Sequence, residues 1–289
     1  MVRVQHINGM KTLFECDGDT LSAANLSRAE LAYASLADTD LSNANLRGVD
    51  LCNADLRRAL LAGATLTGAD LTLSDCSGAN FDGACLDDAR LQAINRSARG
   101  PSASRFRGAD CTRTTLKHSN LAGCDFTDAI MHRADLTRCD LRGCDFRGAD
   151  LTSADLSFSN LSGGSLAHVS LVGATLTGCN LEDVDLEGAD LTLANLNGCR
   201  ISRANFARSR WSKTVFVRVS GLEDAIGFDS LCLADPSSID IQTRRQFPTD
   251  ISEKFLRHFG VTTAMQSSLQ NDEIAVSDTR ADYEGPGRT

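Results

Sequence analysis

Residues 148–161 read GADLTSADLSFSNL: a small residue, then Asp or Asn, then Leu, returning every five positions. Neither a helix nor a flat strand repeats at that interval, since their periods are 3.6 and 2.0. Stepping by fives from Leu21 to Phe216 gives 40 positions; Leu fills 27 and Phe six, with Cys76, Cys111, Met131, Ile201 and Trp211 taking five more. Only Arg96 and Pro101 break the series. Two residues ahead of each large position stands a small side chain, as at Ala24, Ala44 and Ala54. Asp or Asn commonly stands between them, as at Asp50, Asp55, Asp145, Asp150 and Asp155. A chain that turns a corner every five residues points one large and one small side chain per side inward. Its other positions lie at corners and outside.

The A(D/N)LXX signature resembles the pentapeptide-repeat family over about residues 16–220. The resemblance implies an all-β fold, a right-handed quadrilateral parallel β-helix with one pentapeptide per side and four per coil. Neighbouring coils would then pair like strands, about 4.8 Å apart. Residues one coil apart would stack, so that Leu136, Leu156, Leu176 and Leu196 form one interior ladder and Leu141, Leu161 and Leu181 another. Each coil covers only its neighbours, and the two ends need caps.

The chain divides around this repeat. Residues 1–15, VRVQHI-NG-MKTLFE after the first Met, read as a hairpin cap with Asn8-Gly9 suited to a type I′ turn. Residues 95–105, NRSARGPSASR, keep the phase but lose the motif, as two degenerate repeats or as a basic loop. Residues 221–260 change composition and read as a partly helical appendage. Asp250 and Glu253 have capping-box spacing, Ile251, Phe255 and Phe259 make an apolar stripe, and Gly260 suits a helix stop. Residues 261–289 are polar and aperiodic, and read as a disordered tail.

Composition narrows the class. With one Trp and two Tyr in 289 residues, a conventional aromatic-filled core is not expected. No apolar run approaches the roughly 20 residues of a membrane span, and the start lacks a signal-peptide core, so a cytoplasmic protein is expected. Of the 11 cysteines, Cys124, Cys139, Cys144, Cys179 and Cys199 fall at the small position, while Cys76 and Cys111 fall at the large one. That placement reads as buried thiols. Cys124 over Cys144 and Cys179 over Cys199 would be near enough for a disulfide by distance alone, but side by side and inward they are expected to stay reduced.

Nothing in the sequence reads as an active site, a cofactor site or a metal site. The many Asp residues recur with the repeat, and the His residues lack metal-ligand spacing. The expected function is that of a non-catalytic protein-binding scaffold or regulator. The family resemblance adds two alternatives. One is mimicry of duplex DNA toward gyrase or topoisomerase IV, a type II topoisomerase partner. The other is an accessory to a TIR-like bacterial signalling system, because PSSIDIQT…FLRHFG (236–260) is similar to a segment following the repeats in some TIR-containing proteins. A DNA mimic needs a continuous acidic stripe, whereas residues 16–220 hold 25 acidic and 21 basic residues. Candidate partner contacts are a basic patch of Arg133, Arg138 and Arg142, the loop residues Arg96 and Arg99, and the appendage residues Phe255 and Phe259, where a homodimer contact is also considered. Tyr33 and Phe158 fall outward as isolated aromatics. Direct nucleic-acid binding is not expected, because the basic patch lacks interleaved aromatics and the net charge is −9.

Overall fold

The computed structural model describes residues 1–16, 20–95, 103–240, 243 and 257–260. Within them the chain winds as a four-sided parallel solenoid. Asn25 pairs with Asn45, Asn45 with Thr65, and Thr65 with Cys85, all parallel, and the other sides pair likewise. Each side carries two kinds of inter-coil bond. Leu156 N–H donates to Thr175 O on the next coil at 2.8 Å, and Asp155 N–H donates to Ala134 O on the previous one at 2.9 Å. The corner between sides is a tight turn closed by the small residue, as where Ala154 N–H reaches Leu151 O at 3.0 Å.

The large positions fill the interior completely. Leu136, Leu156, Leu176, Leu196, Leu141, Leu161 and Leu181 are all essentially inaccessible to water. Phe81, Phe106, Phe126 and Phe146 form a ladder of near-parallel rings, each 4.8 Å from the next. That spacing is the coil repeat itself, so one rotamer repeated along a ladder stacks the rings.

Small-position hydroxyls and thiols have a shared task. Ser159 Oγ donates to Leu136 O at 2.6 Å, and Thr214 Oγ1 to Leu191 O at 2.9 Å. Cys144, Cys179 and Cys199 donate to Leu121, Leu156 and Leu176 carbonyls, each at 3.0 Å. The buried cysteines are free thiols, including Cys124, Cys144, Cys179 and Cys199. Burial pushes the Cys139 and Cys179 thiols up to about 12, where no reactive thiolate forms at neutral pH.

The interruption at 95–105 enlarges one coil. Asp70 pairs with Arg90, twenty residues on, whereas Asn80 pairs with Arg105, Cys85 with Asp110 and Arg90 with Thr115, each twenty-five residues on. Twenty-residue pairing resumes from Arg105 with Asp125. Asn95 and Ser104 secure the two ends of the interruption. Asn95 Oδ1 accepts the Cys76 N–H at 2.6 Å, the bond a backbone carbonyl makes on the regular sides, and Ser104 Oγ donates to Cys76 O at 2.8 Å.

At the N-terminal end, β1 (Val2–His6) and β2 (Thr12–Cys16) form the hairpin. β1 also pairs antiparallel with β3 (Ala34–Ser35), which seats the hairpin on the first coil and buries Val4. The turn is not type I′, which needs positive φ at both central residues. Only Gly9 has positive φ there; His6 N–H bonds Lys11 O, and Asn8 Oδ1 accepts the Met10 N–H at 3.1 Å, giving a longer loop.

At the other end, parallel pairing does not stop at Ser220. Asn205 pairs with Ile226. β4 (Arg210–Trp211) pairs parallel with β6 (Cys232–Leu233), and β5 (Val215–Phe216) with β7 (Ser238–Ile239). The spacing drifts through 21, 22 and 23 residues, a last coil that lost its five-residue period. Residues 221–239, expected as part of a helical appendage, are this coil, with a single 3-10 turn at Phe228–Ser230. Most of the helix expected at 250–260, and the tail at 261–289, lie outside the described residues. Among the described residues no helix is long and apolar enough to cross a membrane.

Candidate protein-binding surface

Where Asp or Asn fills the slot ahead of the large residue, it is a structural device of the corner. Asp40 Oδ1 accepts the Ser42 N–H at 2.9 Å, Asp150 the Thr152 N–H at 3.0 Å, and Asn195 the Asn197 N–H at 3.0 Å. These are Asx turns, in which a side-chain oxygen satisfies the backbone two residues on. The bonds from Ser42 hold the Asp40 carboxyl below the usual carboxylate range. The Arg57, Arg142 and Arg147 guanidiniums do the same for Asp55, Asp140 and Asp145. Along the sides the acids are interrupted by other residues: Asp40 neighbours Leu60, Asp70 neighbours Arg90, Asp110 neighbours Ile130, and Asp190 neighbours Arg210.

The second residue after each large position takes positive φ, from Ala23 at 55° to Arg218 at 53°. It is the vertex of the corner. Gly supplies many vertices without strain, but a side chain there meets the neighbouring carbonyl oxygen at a cost of about 1–2 kcal/mol. Bulky non-polar residues at such vertices are therefore informative.

Following the pairing coil by coil, one edge of the rod carries vertices Tyr33, Asn53, Leu73, Ala93, His118, Arg138, Phe158 and Gly178. Tyr33, Leu73 and Phe158 are 44%, 49% and 60% exposed. Arg138 lies over the Phe158 ring, 5.5 Å from its centroid. The same ring lies across Gly178, where an added Cβ would come within 2.8 Å of Phe158 Cδ1. Tyr33 stacks on His6 of the cap at 5.5 Å. Spanning six coil steps, Tyr33 to Phe158 measures on the order of 29 Å. In the sequence Tyr33 and Phe158 stand apart and out of register; the enlarged coil brings them to a common edge.

The arginines expected as one basic patch occupy successive corners of a single coil. Arg133 is a vertex beside Arg113 of the previous coil, Arg138 is the next vertex, and Arg142 begins the corner after that. Four-sided winding turns the three toward different directions, so they form no shared patch. Arg142 is held by Asp140 at 2.6 Å. Of the three, only Arg138 sits on the edge with Phe158. Phe259, expected as a surface contact, is buried: its ring packs on Trp211 at 6.2 Å and Phe216 at 6.1 Å, closing the end of the core. Arg96, Arg99 and Phe255 lie outside the described residues. Among the described residues no group of three or more His, Cys, Asp or Glu is placed to hold a metal ion.

A sequence model of the family described as pentapeptide repeats matches eight copies, at residues 21–58, 59–95, 104–143, 129–166 and 170–208. No curated protein matches the chain. Among solved structures, the chain is similar to HetL, a pentapeptide repeat protein involved in heterocyst differentiation regulation in the cyanobacterium Nostoc sp. strain PCC 7120. The identity is 23%, over 72% of this chain and 91% of that one, with a TM-score of 0.38. It is also similar to QnrB1, a plasmid-mediated fluoroquinolone resistance protein, at 16% identity over 79% of this chain and 97% of that one, with a TM-score of 0.41. A pentapeptide repeat protein of the Arabidopsis thaliana thylakoid lumen is 33% identical over 39% of this chain and 68% of that one, with a TM-score of 0.25. At these TM-scores the structural likenesses carry nothing about where a partner binds.

Proposed function

The chain belongs to the pentapeptide-repeat family, and on that premise we propose that it is a non-catalytic protein-binding scaffold or regulator whose partner engages the edge bearing Tyr33, Leu73, His118, Arg138 and Phe158. One observation carries the reading: among the described residues three large, exposed apolar or aromatic side chains at left-handed vertices, Tyr33, Leu73 and Phe158, share one edge, where Gly or Asn would be less strained, whereas Leu193 stands alone on another. Strain and apolar exposure are two separate costs, and neither contributes to the interior. Their coincidence supports selection for contact. The edge is convex, which suits docking better than catalysis, since catalytic groups converge in a concave site.

The alternative of DNA mimicry toward a type II topoisomerase is less well supported. Duplex DNA presents one negative charge per about 1.7 Å of axis. Here Leu60, Ile130, Arg90 and Arg210 interrupt the acidic ladders, and many carboxylates are turned onto backbone N–H groups. An accessory role in TIR-like signalling is compatible with a scaffold and would be a matter of the partner's identity.

The test is affinity capture from the native host's lysate by the full chain. A variant carrying Tyr33→Gly, Leu73→Gly and Phe158→Gly runs beside it, with an Arg208→Gly variant on another edge as control. Loss of a specific protein with the triple variant alone supports the reading. Retention of every captured protein by the triple variant overturns it. Recovery of gyrase or topoisomerase IV subunits, insensitive to the edge, would favour the mimic.

A further inference from the structure

The N-terminal half of the edge differs from the rest. Asn53 stands between Tyr33 and Leu73 as a short side chain between two large ones, separated by two coil steps of on the order of 10 Å. Ile7 of the cap closes the outer end: its N–H donates to Tyr33 O at 2.8 Å, and its side chain is 51% exposed. Ala54 forms part of the floor. The result is a shallow notch with apolar walls.

The notch lies between acidic ladders. Glu30, Asp50 and Asp70 pair in consecutive coils on the side before the edge, and Asp55 with Asp75 on the side after it. Arg57 pairs with Asp55 at 2.6 Å, and Arg90 pairs with Asp70. Glu30, Asp50 and Asp75 have no ion-pair partner among the described residues, and Asp55, Asp75 and the paired Arg57 line the notch itself. Apolar walls within a net negative surround select against acidic segments and favour a cation placed beside an apolar group.

We propose that this notch binds a partner segment in which an apolar anchor side chain is flanked by Lys or Arg. The anchor enters between Tyr33 and Leu73 over Asn53, and the cation faces Asp75 and its acidic neighbours. This rests on the protein-binding reading of the edge and adds what the partner must carry.

The experiment selects a phage-displayed random peptide library on the immobilised full chain. Synthetic versions of the enriched peptides are then titrated by fluorescence anisotropy against three proteins: wild type, Leu73→Gly, and Asp55→Asn with Asp75→Asn. The Asn pair removes charge while keeping the corner, because Asn25 and Asn45 accept the same bonds from Ser27 and Arg47. The expected peptides carry an apolar residue next to Lys or Arg. Leu73→Gly should weaken them about tenfold or more, as removal of a central apolar contact does. The Asn pair should weaken them about threefold and flatten the salt dependence, since screened surface charge is what it removes.

Peptides without a cationic preference, indifference to both variants, or no enrichment at all would each overturn the notch assignment. If Phe158→Gly abolishes capture of the host protein while the notch variants leave it intact, the notch proposal falls and the edge reading stands. If no edge variant alters capture, both fall.

Discussion

At Asp155 the carboxylate Oδ1 accepts the Ser157 N–H at 2.9 Å, a bond that an Asn side chain makes in the same slot elsewhere, as Asn195 does for the Asn197 N–H. Asp155→Asn should therefore be close to neutral, while Asp155→Ala leaves the corner N–H without its acceptor and should cost about 1 kcal/mol. Urea unfolding of the two variants distinguishes a corner-forming Asp from one kept for its charge. Leu156 is fully buried in its ladder, and Leu156→Ala should cost about 2–5 kcal/mol because neighbouring coils cannot collapse onto the gap. At Phe158 the sign is less usual. Replacing it by Gly relieves the left-handed strain, gives up the Arg138 contact and adds unfolded-state entropy, so stability should stay within about 1 kcal/mol of wild type. A side chain whose removal hardly changes the fold, yet which is large and exposed, has its reason outside the fold.

The enlarged coil and the last coil are where elements depart from the repeat. Asn95 is buried and stands in for a backbone carbonyl toward the Cys76 N–H, so Asn95→Ala should destabilise by about 1–3 kcal/mol through an unpaired buried donor. Denaturant midpoints check this, and an unchanged midpoint would mean that the interruption closes without it. In the last coil Phe228 and Leu231 are buried, and Phe206 packs on Phe228 at 5.5 Å. A chain cut after residue 220 should lose that cover and self-associate through its exposed end, visible as a mass shift in light scattering.

The C-terminal closure also predicts a pH dependence. His258 Nε2 lies 2.8 Å from Ser237 Oγ, which already accepts the Thr214 N–H, leaving the hydroxyl proton for an uncharged imidazole. Burial holds the His258 pKa below its ordinary 6.5. Protonation thus favours the open or unfolded state. The contribution is present above the unfolded value and is lost as pH falls through the folded one. Proteolytic cleavage near the C-terminus should quicken on acidifying below about 6.5, and His258→Gln should remove that response.

At the scale of the whole molecule, the rod was legible in the sequence because each side needs one large inward residue. Thirty-eight of forty positions comply, from Leu21 to Phe216. The last coil was not legible, because its inward residues Leu222, Phe228 and Leu231 fall at irregular intervals while the pairing lengthens by up to three residues. The edge was half legible for a geometric reason. Counting by twenties from Tyr33 leads to Ser153, but the coil containing residues 95–105 is five residues longer, which turns the register by one side and brings Phe158 into line instead. The same winding separates Arg133, Arg138 and Arg142, which look like neighbours along the chain. Phe259 looked like a surface contact because an apolar stripe does not say which way it faces; it faces the core end. Acid should weaken the whole rod below about pH 4. Asp38, Asp55, Asp140, Asp145 and Asp183 are held below the ordinary carboxylate value by their arginines, so the stability they contribute is present above 3.8 and lost as pH falls through the lowered folded values. The edge is tested most directly by the affinity of the captured partner, measured by calorimetry for wild type and for the Tyr33→Gly, Leu73→Gly, Phe158→Gly variant, with both shown by urea unfolding to be folded. Binding should weaken about a hundredfold or more, as on loss of clustered apolar anchors, with the fold retained. Equal affinity for the two folded proteins would contradict a binding role for the edge.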